Sequence, residues 1–138
     1  MSNAIYNQAR YQLLIAGFDW RTVPLVMSAW GGVPLFDPTD KTIADIIGHG
    51  FTELGYSMTV TGQTVSTDGY AQSNPVLIPG VPTGEEVTWF TMSWQNATHV
   101  NSLLILFIDQ AEGIPFHANG LDMIVQPDWL AERGWWRP

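Results

Sequence analysis

The fold is decided by the stretch Asn101-Ser-Leu-Leu-Ile-Leu-Phe-Ile-Asp109, in which Leu103 to Ile108 are all apolar. This run is far shorter than the about 20 apolar residues that a membrane-spanning helix needs. Its length and its isoleucines favour a strand buried on both faces. A second apolar segment, Leu121–Gln126, follows a connection rich in Gly, Pro and Asn. We therefore expect the two segments to be adjacent strands at the centre of a sheet.

The rest of the chain indicates a mainly β protein. Alternating apolar residues predict a strand over Thr22–Trp30, and Glu85–Phe90 predicts another short strand. Phe51–Ser66 predicts one or two exposed strands, whereas the prolines of Asn74–Pro82 restrict that segment to a sheet edge or an extended arm. We expect a single-domain antiparallel β-sandwich that spans residues 1–138.

Two helices are predicted beside the strands. Apolar residues at helical spacing predict an N-terminal helix over residues 1–17, with Ser2 or Asn3 as its cap. Its last residue is a glycine, which suits the left-handed conformation that ends many helices. A short helix is predicted within the long loop, with Thr39 or Asp40 as its cap.

Composition limits the kinds of partner. Thirteen carboxylates oppose five Lys and Arg residues, for a formal charge of −8. Such a surface repels phosphate backbones, so we expect no direct nucleic-acid binding. The absence of cysteine excludes disulfides and thiolate metal ligands. The first residues lack a basic region followed by an apolar one, so we also expect no signal peptide and no membrane association.

The aromatic content indicates contacts with other chains. Charged residues make up only 13% of the chain, about half the usual quarter, while seven residues are Trp. Large apolar patches on monomers are uncommon, so we expect part of this aromatic surface to lie in an interface. Residues 131–138 are predicted to be a C-terminal contact tail. Aromatic and Arg side chains in loops or in that tail are the candidate interface residues: Trp30, Phe36, Trp135, Trp136 and Arg137.

Several short blocks follow one another along the chain. The first are Tyr6-Asn7-x-Ala9, Asp19-Trp20 and Thr42-Ile43-Ala44-Asp45-Ile46. The later ones are Thr61-Gly62-x-Thr64-Val65 with Asp68-Gly69, Glu86-Val87-Thr88-Trp89, and Ile108-Asp109-x-x-x-Gly113-Ile114-Pro115 with Asn119-Gly120 and Asp122-x-x-Val125. Their order and spacing over about residues 4–126 resemble a family of small virion proteins of tailed bacteriophages.

The resemblance implies a β-sandwich structural protein of the virion, assembled in the host cytoplasm, without enzymatic activity or cofactor. It favours a capsid cement, or decoration, protein that forms trimers and bridges subunits of the major capsid protein. A neck, tail or fibre component is the alternative. The chain departs from the family at its end, where Pro127-Asp128-Trp129 and the Trp-rich tail replace a short final strand.

Residue spacing gives little support for a metal or catalytic site. His49, His99 and His117 are widely separated, so no set of converging metal ligands is predicted. Turn and capping roles account for Asp37 and Asp40, which lack the spacing of a calcium loop.

Two other classes of function stay open at the level of sequence. Exposed Trp rings could stack on sugars in a carbohydrate-binding module. A hydrolase is disfavoured because adjacent Glu85 and Glu86 would point to opposite faces of a strand and no serine lies in a Gly-x-Ser-x-Gly turn.

Overall fold

The computed structural model describes residues 3–109, 116–120, 122–125 and 135. Within these ranges the chain is mainly β, as predicted, with a five-stranded antiparallel sheet, three two-stranded sheets and two α-helices. The elements are β1 (Ala4–Ile5), α1 (Asn7–Leu14), β2 (Leu25–Trp30), α2 (Ile43–Gly48), β3 (Glu53–Ser57), β4 (Thr64–Val65), β5 (Ala71–Gln72), β6 (Val76–Ile78), β7 (Glu86–Val87), β8 (Trp89–Trp94), a 3-10 helix (His99–Asn101), β9 (Leu103–Ile108), β10 (Phe116–His117) and β11 (Met123–Val125).

The large sheet has the strand order β1-β9-β8-β2-β3. The apolar run Leu103–Ile108 is β9, and its residues are almost all buried, which confirms the prediction of a strand covered on both faces. Its predicted pairing with Leu121–Gln126 is wrong. β9 lies between β1 and β8, whereas Met123–Val125 pairs with β6 in a separate sheet. Ile124 is exposed between two buried neighbours, so β11 is suited to an outer layer with one buried face.

One face of the large sheet carries the main core. Leu25, Met27 and Ala29 of β2 point to this face, together with Phe90 and Met92 of β8. The sheet formed by β6 and β11 covers it.

Gly55 of β3 permits the close packing of this layer. A Cβ at Gly55 would lie 3.1 Å from the Ile78 side chain and 3.2 Å from that of Val81. Any larger residue at position 55 would therefore push the two layers apart.

The opposite face carries a second, aromatic core. Trp30 and Trp89 pair across β2 and β8, and their rings stack with centroids 5.6 Å apart. Leu104 and Phe107 of β9 contribute to the same face, although they are three residues apart and a regular strand puts such residues on opposite faces. The reason is an extra residue, because Leu106 pairs with Met92 while Leu104 pairs with Ser93, which leaves Ile105 without a partner across the strand pair.

The helices are shorter than the sequence predicts. Residues Ala4–Ile5 form β1 by pairing with β9, so α1 begins only at Asn7 and has Tyr6, rather than Ser2 or Asn3, before its first turn. The left-handed residue at its end is Ala16, with a φ of 57°, not the glycine after it.

The short helix in the long loop is confirmed as α2, which packs Ile43 and Ile46 on the aromatic core. Its cap is Thr42, not Thr39 or Asp40. The Asp45 carboxylate accepts hydrogen bonds from the backbone N–H groups of Lys41 and Thr42, which satisfies donors at the start of the helix.

A buried hydrogen bond within the aromatic core gives the first prediction. Trp30 Nε1 donates to Thr91 Oγ1 at 3.0 Å. We expect Thr91→Val to lower the free energy of unfolding by about 1–3 kcal/mol, because it leaves the buried indole N–H without an acceptor. Thr91→Ser keeps the acceptor and should cost less. Urea denaturation monitored by Trp fluorescence measures both effects.

Ser93, which lies two residues after Thr91 on β8, provides the matched control. Its hydroxyl is buried and has no hydrogen-bond partner in the part of the chain that the structure describes. Ser93→Ala should therefore leave the stability unchanged or raise it. If Ser93→Ala cost as much as Thr91→Val, the assignment of the Thr91 bond as a stabilising contact would be wrong.

Candidate functional site

The C-terminal half of α1 carries the most exposed apolar surface near a groove. Leu14 is 88% exposed and Tyr11 is 57% exposed, and Ile15 follows directly with more than half of its surface open. Only Ala9 of this helix is buried. We define the α1 surface as this exposed end together with Leu13 and Val65: Tyr11, Leu13, Leu14, Ile15 and Val65.

A groove adjoins the α1 surface and shares Leu13 and Val65 with it. Leu13, Phe18, Trp20 and Val65 line both an open cavity of about 740 Å³ and a smaller, almost entirely apolar cavity of about 120 Å³. We call these two adjoining cavities the α1 groove. Small-molecule and peptide sites are usually concave and mostly apolar, and the groove has both properties.

Hydrogen bonds hold the wall of the groove in place. Trp20 Nε1 donates to the carbonyl of Gln72, and the Gln63 amide donates to the carbonyls of Trp20 and Val23. The loop after α1 is thereby attached to the β4–β5 region. The groove is therefore a formed feature of the fold and not a gap between unconnected loops.

One ion pair lies at the groove. Arg21 Nη2 is 2.8 Å from Asp19 Oδ2, and both residues line the open cavity. Hydrogen bonds from the Arg21 side chain and backbone lower the pKa of the exposed Asp19 carboxyl to about 2. The pair is neutral as a whole, so the groove carries little net charge despite the acidic chain.

A second candidate site lies on the opposite side of the sheet, before and after α2. His49 Nε2 is 2.9 Å from Asp40 Oδ1 and 3.9 Å from Asp37 Oδ2. We call these three residues the Asp–His cluster. His49 thus has two carboxylates beside it, although its distance in sequence from the other histidines predicts no converging set of metal ligands. The residues come from a loop and from the end of α2, a proximity that their spacing does not reveal.

Each member of the Asp–His cluster has a shifted pKa. Burial raises the pKa of Asp40, with the His49 hydrogen bond opposing it, and the bond to Asp40 raises the pKa of His49. Hydrogen bonds from the Thr39 hydroxyl and backbone lower the pKa of Asp37. The turn role predicted for Asp37 is confirmed by these bonds, whereas Asp40 bonds to His49 instead of capping a helix.

The other two described histidines also face carboxylates. His99 Nε2 lies 2.8 Å from Glu53, and its ring stacks on Tyr56 at 3.8 Å. His117 lies 3.6 Å from Glu86. The pair of His99 and Glu53 connects the 3-10 helix to β3, so a structural role is sufficient to explain it.

The predicted interface residues are largely not on the surface. Trp30 and Trp135 are 0% exposed, and Phe36 is partly buried, with its ring 5.1 Å from Tyr6. Trp30 and Trp135 are buried within the single chain, so neither offers the exposed ring that the interface prediction expected. Trp136 and Arg137 lie outside the described residues.

Trp135 is bonded to three parts of the chain. Its Nε1 donates to Ser73 Oγ at 2.7 Å, and its backbone N–H donates to the Ala71 carbonyl. Its carbonyl accepts a bond from the Asn3 amide. At this residue the predicted contact tail, 131–138, is part of the main core.

Sequence reasoning missed the α1 surface. Leu13, Leu14 and Ile15 contribute to the apolar spacing that predicts the helix, but that spacing does not indicate which of these side chains stay exposed. Aromatic residues received the interface assignment instead. Trp30, Trp89 and Trp135 are buried, whereas Leu14 and Ile15 are exposed.

Comparisons with known proteins give no relative. No family model, no curated protein and no solved structure matches the chain. In the part of the chain that is described, neither helix has the length and apolar character needed to cross a bilayer.

The buried position of Trp135 gives the second prediction. Trp135→Ala should lower the free energy of unfolding by about 3–5 kcal/mol, because a large buried side chain is lost. Trp135→Phe keeps most of the packing but not the bond to Ser73, so its loss should be smaller. Thermal and urea unfolding measure both. If Trp135→Ala left unfolding unchanged and altered only the oligomer mass, Trp135 would be a contact residue after all.

Proposed function

We propose that this chain is a structural protein without catalytic activity, which acts by self-association and by binding other proteins of a bacteriophage particle. The observation that carries the proposal is the α1 surface. Leu14 and Ile15 are exposed on a helix end beside a formed apolar groove. Exposed apolar side chains that cluster beside a groove are candidates for a contact site.

The chemistry of the described residues supports a contact role over a catalytic one. Each described histidine faces a carboxylate, and no serine or threonine hydroxyl lies within hydrogen-bond distance of these rings in the described ranges. Nucleophilic catalysis by a serine or threonine needs a histidine base within reach of the hydroxyl. Charge supports a protein partner, since −8 disfavours a nucleic acid.

The tryptophans do not support the carbohydrate-binding alternative. Trp20, Trp30, Trp89 and Trp135 are buried, and Trp94 is partly covered by Phe18. Sugar stacking needs an open ring face, and in the described ranges no indole offers a fully exposed one. The tryptophan content, which motivated the carbohydrate-binding alternative, is therefore better explained by a folded core.

Within a virion, capsid decoration is the role we place first, with a trimer as the expected assembly and the major capsid protein as the partner. This assignment is supported by the sequence blocks that resemble small phage virion proteins. A neck, tail or fibre position is the alternative. Symmetric assemblies repeat each contact many times, so a modest apolar surface is sufficient for tight attachment through avidity.

Self-association through the α1 surface gives the third prediction. Leu14→Asp should weaken the oligomer at least about tenfold, because burying a Leu side chain is worth roughly 1.5–3 kcal/mol and 1.4 kcal/mol is a factor of ten. The folded chain should be unaffected, since Leu14 is 88% exposed. Light scattering over a dilution series measures the change in mass.

Val33 is the matched control because it is 84% exposed but lies in the loop before α2. Val33→Asp should leave the oligomer mass unchanged. A wild-type chain that is monomeric at every concentration would contradict self-association. If the oligomer persisted in Leu14→Asp but dissociated in Val33→Asp, the self-association contact would lie on another surface.

The virion assignment has its own test. Quantitative mass spectrometry of purified particles should find this chain in a copy number close to that of the major capsid protein. A much smaller number, equal to one ring of subunits, would favour the neck. Absence from the particle would contradict the virion role while leaving self-association intact.

A further inference from the structure

The Asp–His cluster has the arrangement of a metal-binding site. One ligand atom from each of Asp37, Asp40 and His49 lies within 4.8 Å of the other two. All three residues line an open cavity of about 580 Å³, which leaves room for an ion and its remaining water ligands. Together they offer one imidazole nitrogen and two carboxylate oxygens from two separate segments.

The separations suit a small divalent ion. Zn²⁺ binds His nitrogen at about 2.0–2.1 Å and carboxylate oxygen at about 2.0–2.2 Å, which puts tetrahedral ligands roughly 3.3 Å apart. The His49 nitrogen is 2.9 Å from Asp40 and 3.9 Å from Asp37, on either side of that value. Asp37 and His49 are each about one-third exposed, so both can shift slightly towards an ion.

A buried tyrosine, on the segment that is bonded to the loop of the cluster, supplies an independent observation. Tyr6 is 0% exposed, and its hydroxyl has no hydrogen-bond partner among the described residues. Burial raises the pKa of Tyr6, and the negative charges of Asp40 and Asp37 raise it further. The backbone N–H of the next residue, Asn7, donates to the Pro38 carbonyl, which holds this segment against the loop.

We propose that Asp37, Asp40 and His49 bind one divalent transition-metal ion, and that Zn²⁺ is the ion this donor set fits best. The ion takes the place of the proton between His49 Nε2 and Asp40, and that proton is released to solvent. Water fills the fourth position. The Tyr6 hydroxyl acts as a positioning group that donates to a carboxylate ligand or to the bound water.

The donor set discriminates between ions. Ca²⁺ needs six to eight oxygen ligands and Mg²⁺ prefers an octahedral oxygen shell, whereas an imidazole nitrogen suits Zn²⁺. The charges around the cluster favour any divalent cation. Asp45 also lines the cavity, and Lys41 is the one Lys or Arg among the described residues that line it. Selectivity therefore depends on His49, while charge alone would attract any divalent ion.

Calorimetric titration with zinc chloride after chelator treatment tests the proposal on the full-length protein. We expect saturable binding of one Zn²⁺ per chain and a rise in Tm. Asp37→Asn and His49→Asn should each weaken binding at least tenfold. Asp37→Asn keeps an acceptor for Thr39 and is exposed, so it tests the site even if another variant unfolds. Mg²⁺ and Ca²⁺ should produce no saturable heat.

His117→Asn is the matched control, because His117 is an exposed histidine beside a carboxylate outside the cluster. It should bind Zn²⁺ as the wild type does. The proposal is overturned if no saturable binding occurs, if His49→Asn binds Zn²⁺ undiminished, or if His117→Asn loses binding. The oligomer mass of Leu14→Asp is a separate readout, so either idea can fail alone.

Tyr6→Phe tests the positioning role. Without Zn²⁺ the variant should be at least as stable as the wild type, because it removes a buried hydroxyl that has no partner. Its Zn²⁺ affinity should fall about tenfold or more without being abolished. A variant with unchanged affinity would assign no role to Tyr6 and would leave the three ligands as the site.

Discussion

The structure depends on burying one antiparallel sheet on both faces. β8 and β2 lie in the middle of that sheet, and their alternate residues enter two different cores. On one face aliphatic side chains meet the β6–β11 layer, and on the other stacked indoles meet α2. A central strand with two buried faces loses the polar–apolar alternation typical of antiparallel sheets. Nearly every residue of these strands is therefore apolar, Ser or Thr.

This constraint explains the composition better than an interface does. Seven tryptophans in a chain poor in charge indicate docking when read from sequence. In the structure, Trp30 and Trp89 fill the aromatic core, and Trp20 and Trp135 belong to the other core. The inference from indole surplus to contact surface is therefore not supported. The exposed aliphatic side chains of α1 now support self-association instead.

Local patterns predicted the elements well and their arrangement poorly. The apolar run of β9 and the isoleucine spacing of α2 were readable because each pattern lies within one segment. Pairing was not readable, because β11 joins β6 across more than forty residues of chain. The extra residue Ile105 and the diversion of Ala4–Ile5 into β1 also depend on neighbouring strands. The Asp–His cluster was missed for the same reason.

We propose that the α1 surface is covered in the assembled state and open in the separated chain. Amide hydrogen exchange at low and high protein concentration tests this directly. We expect exchange in α1 and around Val65 to become slower as the protein concentration rises, and exchange in α2 to stay unchanged. Concentration-independent exchange in α1, or slowing confined to the edge strand β3, would contradict it.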